Sequence, residues 1–536
     1  RAVKLLEVVI MLIAAVGIVT GHVLLMMVLL FLMGLQSSLF GPVKFALLPQ
    51  QLHKDELVGG NALVEMGTFL AILTGTICAG ILFDLSNARY WIAAGIVFFA
   101  VSGYISSRFI PLAEANAPEL KINWNPLTEL VNTLRNARKN RAVFLSIMAI
   151  SWFWFLGAGY LTQFPNLVRD NLGGNPQVVT LLLTLFSVGV AAGSLLCERL
   201  SGHKVELGIV PIGSLGMSIF GIDLYFALAN IQAAADMTAL EFIAQPEHWR
   251  FMIDLALISV SGGLFVVPLQ SLIQERSDKK MRAQTIAANN VMNALFMVAS
   301  AATGILFLAV MKLSIAEYFL IIGLMNIVVA AYVFTRVPEF FLRFFIWMLT
   351  HTMYRVTHEE TDKIPDEGPV VLVCNHVSYV DALLIASASR RPVRFVMDRS
   401  IAEMPVMKYF FRFAKTIPIC SPKKDKEVYE TAFRRIREEL ADGQVVCIFP
   451  EGKLTKDGEV DTFKRGIERI IEETPVPVMP MGLSGLWGSF FSHKDGLALT
   501  KTPRRFWSKV TIRLGKTLPP EEVNAPLLQQ KVLELL

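Results

Sequence analysis

Between residues 1 and 336 the chain is almost entirely a succession of long apolar runs separated by short polar breaks. About 20 apolar residues are what an α-helix needs to cross the hydrocarbon of a bilayer. A backbone in lipid must satisfy its own N–H and C=O groups, so a run that is apolar on every side crosses as a helix. Ten such runs are read, near 4–20, 22–39, 60–83, 90–112, 143–164, 177–197, 207–229, 251–273, 284–310 and 316–335. The whole chain of 536 residues is 54% apolar and only 18% charged, against roughly 25% charged in a soluble domain. This excludes an all-soluble protein, a disordered chain and a nucleic-acid-binding arm. The net charge of +5 is too small for this length to suggest a nucleic-acid partner.

Basic residues orient the runs. One alternate set of connections holds Lys44, Lys54, Arg108, Lys121, Arg135, Arg138, Lys139, Arg141, Arg199, Lys204, Arg276, Lys279, Lys280 and Arg282. The other holds Arg89, Arg169, Arg250 and Lys312. Positive loops stay in the cytoplasm, so the loops near 40–59, 113–142, 198–206 and 274–283 are expected there. An even number of spans returns everything after Arg336 to the same side. A bare anchor needs one span, yet Glu65, Asp223, Asp254, Asn289, Asn290 and Asn293 fall inside runs. Each costs about 2.5–3.5 kcal/mol at mid-bilayer on insertion scales. Singly they read as helix caps or interhelical bonds. Together they favour a polar path, hence a transporter.

Gly193-Ser-Leu-Leu-Cys-Glu198-Arg199-Leu-Ser-Gly202-His-Lys204 resembles the cytoplasmic loop motif of the major facilitator superfamily. That motif occurs between the second and third helices and, in looser form, between the eighth and ninth. This copy lies between the sixth and seventh runs. It becomes the eighth-to-ninth loop if two helices precede the chain, which begins at Arg1 without a Met. Arg1, Lys4 and Glu7 then look like the tail of the first copy, and 113–142 like the central cytoplasmic loop. Phe40-Gly-Pro-Val-Lys44-Phe-Ala-Leu-Leu-Pro49-Gln and Leu57-Val-Gly-Gly-Asn61-Ala-Leu-Val-Glu65 resemble the bacterial lysophospholipid transporters. That resemblance implies inward flipping of a lysophospholipid, with Lys44 meeting a phosphate and Glu65 an ammonium. Asn61 and Asp254 complete the transport candidates. The bland alternatives are a loop lysine and an interhelical hydrogen bond.

Residues 337–354 are rich in aromatics, with Phe340, Phe341, Phe344, Phe345 and Trp347 beside Arg343. They read as an amphipathic helix lying in the membrane interface. From 355 the composition becomes globular. Strands are expected at 370–374, 393–397, 416–420, 445–449, 476–481 and 510–513, and helices at 380–389, 404–414, 426–441 and 463–473. This alternation is an α/β layout.

Two strand ends carry chemistry. After 370–374 comes Asn375-His376-Val-Ser378-Tyr-Val-Asp381, and after 445–449 comes Pro450-Glu451-Gly452-Lys453. His is the side chain best matched to moving a proton near neutral pH, and an Asp beside it fixes its tautomer. Glu451 is suited to a glycerol hydroxyl or an ammonium head, Lys453 to a phosphate. These motifs, with Ala414–Ile419 between them and Val476–Pro480 after them, resemble the glycerolipid acyltransferases over roughly 355–520. The resemblance implies His376 as general base, Asp381 as its orienter, and Asn375, Ser378, Glu451, Gly452 and Lys453 as substrate-binding residues. It implies direct acyl transfer from acyl carrier protein or coenzyme A, with no acyl-enzyme and no metal.

Two departures bear on the acceptor. Cys420-Ser421 stand where the family usually has Asp-Arg, and Lys453-Leu454 where it has Thr-Arg. A phosphodiester such as lysophosphatidylethanolamine therefore fits better than a phosphomonoester. The Phe-Pro-Glu-Gly-Lys form also resembles the bifunctional 2-acylglycerophosphoethanolamine acyltransferase/acyl-carrier-protein synthetases, in which a synthetase domain follows. The expected whole is a multi-span α-helical bundle of major facilitator type without its first two helices, followed by an α/β acyltransferase domain. Its expected work is lysophospholipid salvage at a bacterial inner membrane. The alternative is a lysophosphatidate acyltransferase fused to an unrelated exporter or lipid sensor. Lys423, Lys424 and Lys426, with Arg390, Arg391, Arg394 and Arg399, form a basic set that reads as a solvated face, a contact with anionic headgroups, or a dock for the acidic acyl carrier protein. The five cysteines are scattered and give no disulfide framework or zinc site.

Overall fold

The computed structural model describes residues 1–536 apart from 54–55, 84, 112, 114–118, 120–124, 202–206, 230, 232–235, 337, 366–367, 390, 406, 495, 497, 499, 501 and 503–506. The side chains of 80, 83, 126–127, 207, 333–336, 338–344, 347, 407 and 413 are likewise left aside. The expectations placed on Lys54, Lys121, Gly202, His203, Lys204, Arg390 and the side chains of Phe340, Phe341, Arg343, Phe344 and Trp347 fall outside the described residues. The chain divides into two compact units, Arg1–Thr335 and Arg336–Leu536.

In the first unit ten helices among the described residues are long and apolar enough to cross a membrane, at the places the apolar runs predict. They begin with α1 (Ala2–Thr20), α2 (Val23–Gln51), α3 (Leu57–Phe83) and α4 (Ala88–Arg108). Next come an amphipathic α5 (Pro126–Ala137), α6 (Arg141–Leu161) and a one-turn α7 (Phe164–Leu167). Then come α8 (Pro176–Leu200), α9 (Val210–Leu228), a short α10 (Ala239–Ala244), α11 (Trp249–Arg276), α12 (Arg282–Gly304) and α13 (Ile315–Arg336).

One expectation fails here. The second run was to end near residue 39, yet α2 continues to Gln51 through Pro42 and Pro49. A proline inside a helix removes one N–H and bends it, but in a membrane bundle neighbouring groups re-satisfy the backbone. Lys44 is therefore part of a spanning helix and not of a loop.

Packing between spans follows small residues, as it must where lipid is as apolar as the helix surface. Gly193 of α8 lies against the backbone carbonyl of Val260 in α11, and a methyl there would overlap it. From the other side, a Cβ on Gly263 of α11 would stand 2.6 Å from the Ser194 nitrogen. The glycine that opens the loop motif is thus a helix contact. Buried polar groups hold the same bundle. Trp152 Nε1 donates to Asn326 Oδ1 at 2.9 Å, and Asn326 Nδ2 donates to Ser218 Oγ at 2.8 Å.

The second unit opens with α14 (Pro338–Met353), which leads directly into β1 (Tyr354–Glu359). There follow β2 (Val370–Cys374), α15 (Asp381–Ala388), β3 (Val393–Asp398), α16 (Arg399–Ala402), α17 (Met407–Phe413), β4 (Ile417–Ile419), α18 (Lys426–Ala441) and β5 (Val445–Ile448). The chain closes with α19 (Gly466–Glu473), β6 (Val478–Ser484), β7 (Ser508–Leu514) and α20 (Ala525–Leu533). The seven strands form one sheet in the order β1-β7-β6-β2-β5-β3-β4. Every neighbour pair is parallel except β6–β7.

Side chains alternate between the sheet's faces. Leu372, Cys374, Cys447 and Met479 pack on one side with Leu384 and Ile385 of α15. Val371, Val373, Val446 and Val478 pack on the other with α18, α19 and α20. β2 is buried at all five residues, as expected of a central parallel strand. The helix expected at 404–414 is the shorter α17, and the one-turn α16 before it was not anticipated. Neither β1 nor α20 was anticipated.

Candidate active site and polar sites in the membrane unit

In an open parallel sheet, ligands bind beyond the carboxyl ends of the strands. β2 and β5 are hydrogen-bonded neighbours, with Val373 opposite Ile448. The two motifs that follow them, far apart in sequence, therefore emerge side by side.

His376 directs Nδ1 to Asp381 Oδ2 at 2.9 Å. A carboxylate only accepts, so Nδ1 carries the proton and Nε2 presents its lone pair. The ring is one-fifth exposed, while Asp381 is fully buried. The same oxygen, Oδ2, accepts the backbone N–H of Val377 at 2.7 Å and of Ser378 at 2.9 Å. Asp381 is the first residue of α15, so its charge also meets the positive end of that helix. Phe449, the residue after β5, stacks beneath the imidazole with centroids 4.2 Å apart and planes at 17°. A base with one nitrogen fixed, one nitrogen open and a ring clamped below can take a proton from an alcohol.

The expected substrate-binding residues sort differently. Glu451 is turned into the protein. Its Oε1 accepts the His376 N–H at 2.6 Å and its Oε2 the Asp461 N–H at 2.9 Å. Burial pushes its carboxyl up, against the pull of those two donors. It braces the base, because one of its oxygens holds the backbone of His376 itself. Asn375 is also internal, donating to Leu483 O at 3.0 Å and accepting the Leu483 N–H at 2.8 Å, which ties β2 to β6. Ser378 is buried and its hydroxyl accepts the Val380 N–H. Gly452 takes φ +66, in the left-handed region. Lys453 pairs with Asp461 at 2.6 Å, which raises the lysine and lowers the aspartate from their ordinary values. Two features of this site had no sequence signal: Asp461 as the far anchor of Glu451, and Lys464, whose ammonium lies on Gly452.

The basic set is also divided. Arg394 is buried against Glu439 at 2.9 Å, Arg399 pairs with Glu403 and Asp425, and Arg391 binds carbonyls of Pro365, Gly368 and Gly443. These three serve the domain's interior and edges.

In the membrane unit the transport candidates do not form one site. Lys44 Nζ donates to Thr68 Oγ1 at 3.3 Å and interacts electrostatically with Glu65, which is buried. A second polar group nearby was not anticipated: Glu7 accepts from Lys4 at 2.7 Å and from Gln36 at 3.0 Å. Asn61 and Gln274 exchange two hydrogen bonds, at 2.6 and 3.0 Å, joining α3 to α11. Glu198 of the loop motif lays its carboxylate on Gly59 in the first turn of α3. Asp254 lies twenty residues before Gln274 on α11, about 30 Å away at 1.5 Å per residue. Its carboxyl neighbours that of Asp223, which a bidentate Arg250 grips at 2.6 and 3.0 Å.

Residues 4–301 match the family model "Major Facilitator Superfamily", which is more than half of the chain. The chain belongs to the major facilitator superfamily. Residues 355–484 match the family model "Acyltransferase", so this member carries an acyltransferase domain after its membrane bundle. Among curated relatives, the lysophospholipid transporter LplT of Klebsiella pneumoniae is 28% identical over 265 residues, 48% of this chain and 61% of that protein. The LplT of Photorhabdus laumondii is 26% identical over 46% of this chain and 56% of that protein. The chain thus spans about three-fifths of the length of the relatives it matches. Among solved structures, the lysophosphatidate acyltransferase PlsC of Thermotoga maritima is 22% identical, covering 38% of this chain and 78% of that one, with a TM-score of 0.30. The fucose:proton symporter FucP of E. coli is 12% identical, covering 62% and 83%, with a TM-score of 0.45.

Proposed function

We propose that the protein salvages lysophospholipid: the membrane unit flips lysophosphatidylethanolamine inward, and the second unit restores its missing acyl chain. The observation that carries this reading is the His376–Asp381 pair at 2.9 Å, open at Nε2, on the same chain as a bundle related to lysophospholipid transporters. Nε2 takes the proton of the free glycerol hydroxyl as its oxygen attacks the thioester carbonyl of an acyl carrier protein or coenzyme A ester. Asp381 stabilises the imidazolium that forms. The tetrahedral intermediate collapses, the C–S bond breaks, and the thiolate leaves with the imidazolium's proton. The products are a diacyl lipid and a free thiol.

The excess of Lys and Arg in one set of loops supports a cytoplasmic position for this chemistry, in a bacterial inner membrane. Joining the two units raises the effective concentration of flipped lipid at the base. The test is vesicles holding the full protein, labelled lysophosphatidylethanolamine and acyl-loaded carrier protein. Wild type forms diacyl lipid; His376→Ala forms none but still moves lysolipid inward. Acylation of lysophosphatidate with no lysolipid movement overturns the reading.

A further inference from the structure

The loop from Pro450 to Phe463 leaves β5 and returns to the site. Phe463 is buried, and the backbone N–H of Lys464 donates to Pro450 O at 3.0 Å. These two anchors fix where the next side chain goes. Lys464 lays its ammonium on the face of Gly452, so closely that a methyl at 452 would overlap Nζ. Gly452 follows Glu451, whose carboxylate holds the peptide of the base.

Two cations therefore border the turn, in different states. Lys453 is neutralised by Asp461 at 2.6 Å. Lys464 is exposed, feels the same Asp461 only at longer range, and has no carboxylate within 4 Å among the described residues. A glycerophospholipid acceptor carries its phosphate only the length of a glycerol from the hydroxyl it offers to His376. An anion-binding group is needed close to the base, and the residue the motif itself suggests is already occupied.

We propose that Lys464, and not Lys453, is the acceptor-specificity residue, binding the phosphate of the lysophospholipid. The assignment rests on the acceptor class proposed above. It also gives Gly452 a second reason to lack a side chain, beyond its positive φ.

The experiment compares acceptors with and without a phosphate, lysophosphatidylethanolamine and monoacylglycerol, on the full-length protein in lipid nanodiscs. Lys464→Met raises KM for the lysophospholipid at least about tenfold, as expected for a lost bond to a charged group. It leaves KM for the acyl donor unchanged, and it leaves turnover of monoacylglycerol unchanged. Lys464→Arg recovers most of the affinity, and Lys453→Met changes it less than about threefold. An unchanged lysophospholipid KM in Lys464→Met overturns the assignment alone. So does an equal loss in Lys453→Met, or an equal loss on both acceptors. A wild type that acylates monoacylglycerol and no lysophospholipid overturns the acceptor class, and the assignment with it.

Discussion

Replacing Asp381 by Asn tests the centre of the catalytic argument. The amide keeps the shape, and its oxygen can still accept the N–H groups of Val377 and Ser378, now at 2.7 and 2.9 Å. What it loses is the charge facing His376. A unit charge about 4 Å from the imidazolium is worth about 4 kcal/mol at an effective dielectric of 20. At about 1.36 kcal/mol per tenfold, the acylation step should slow by roughly a thousandfold. The ground-state contacts of the acceptor do not involve Asp381, so its KM should hardly move. There is also a structural cost. Asp381 Oδ1 is buried with no hydrogen-bond partner among the described residues, so the new NH2 either sits unpaired there or points at two backbone donors. An unpaired buried donor costs about 1–3 kcal/mol. Single-turnover acylation, read beside a thermal melt of the same sample, separates the two effects. A folded Asp381→Asn protein that keeps a tenth of wild-type kcat would refute the pairing of roles given to His376 and Asp381.

Glu451 gives a pH signature. Because burial raises its carboxyl, the folded protein holds that proton at pH values where the unfolded chain has released it. Its contribution to stability is fullest below the ordinary carboxylate range and is lost as pH rises through the raised value. Denaturant titrations should show wild type losing stability relative to Glu451→Gln across that window; parallel curves would contradict it. Gly193→Ala drives a methyl into the Val260 carbonyl and should cost about 1–3 kcal/mol, read as a lower melting temperature in detergent with acylation by the second unit preserved. The Asn61–Gln274 pair should show a coupling of about 0.6–2 kcal/mol in a double-mutant cycle of Asn61→Ala and Gln274→Ala. Additive losses would mean the two amides act independently.

The sequence carried most of the architecture because its signals were local. A run apolar on every side has one solution in lipid, and β2, buried at all five positions, stands where its unbroken Val-Val-Leu-Val-Cys predicts. What escaped was settled by distant partners. α2 passes two prolines because other helices support it. β1 follows α14 with no turn residue between them, and its half-polar Tyr-Arg-Val-Thr-His-Glu becomes a strand only by pairing with β7. At the site, His376 and Asp381 were legible because four residues of spacing place them at a strand end and a helix start. Glu451 was not. Beside a Gly and a Lys it reads as a ligand for substrate, and only the return of Asp461 shows that each of its oxygens accepts a backbone N–H. The transport residues share a polarity in apolar sequence, but polarity alone does not tell which end of a helix a residue occupies.

β2 and β5 are adjacent strands, yet 70 residues separate Cys374 from Val445 and hold α15, β3, α16, α17, β4 and α18. The distance from His376 to its brace Glu451 is fixed by hydrogen bonds across that strand pair, so the length of the excursion beyond α15 does not enter it. The excursion is a free variable. Insertions in its outer loops, or replacement of the β4 edge with its Cys420-Ser421 turn, leave His376 in place relative to its brace. A single-residue slip between β2 and β5, by contrast, would turn every core side chain of the slipped strand to the wrong face. The sheet is thus a ruler that tolerates any amount of chain hung from it and no error in its own divisions.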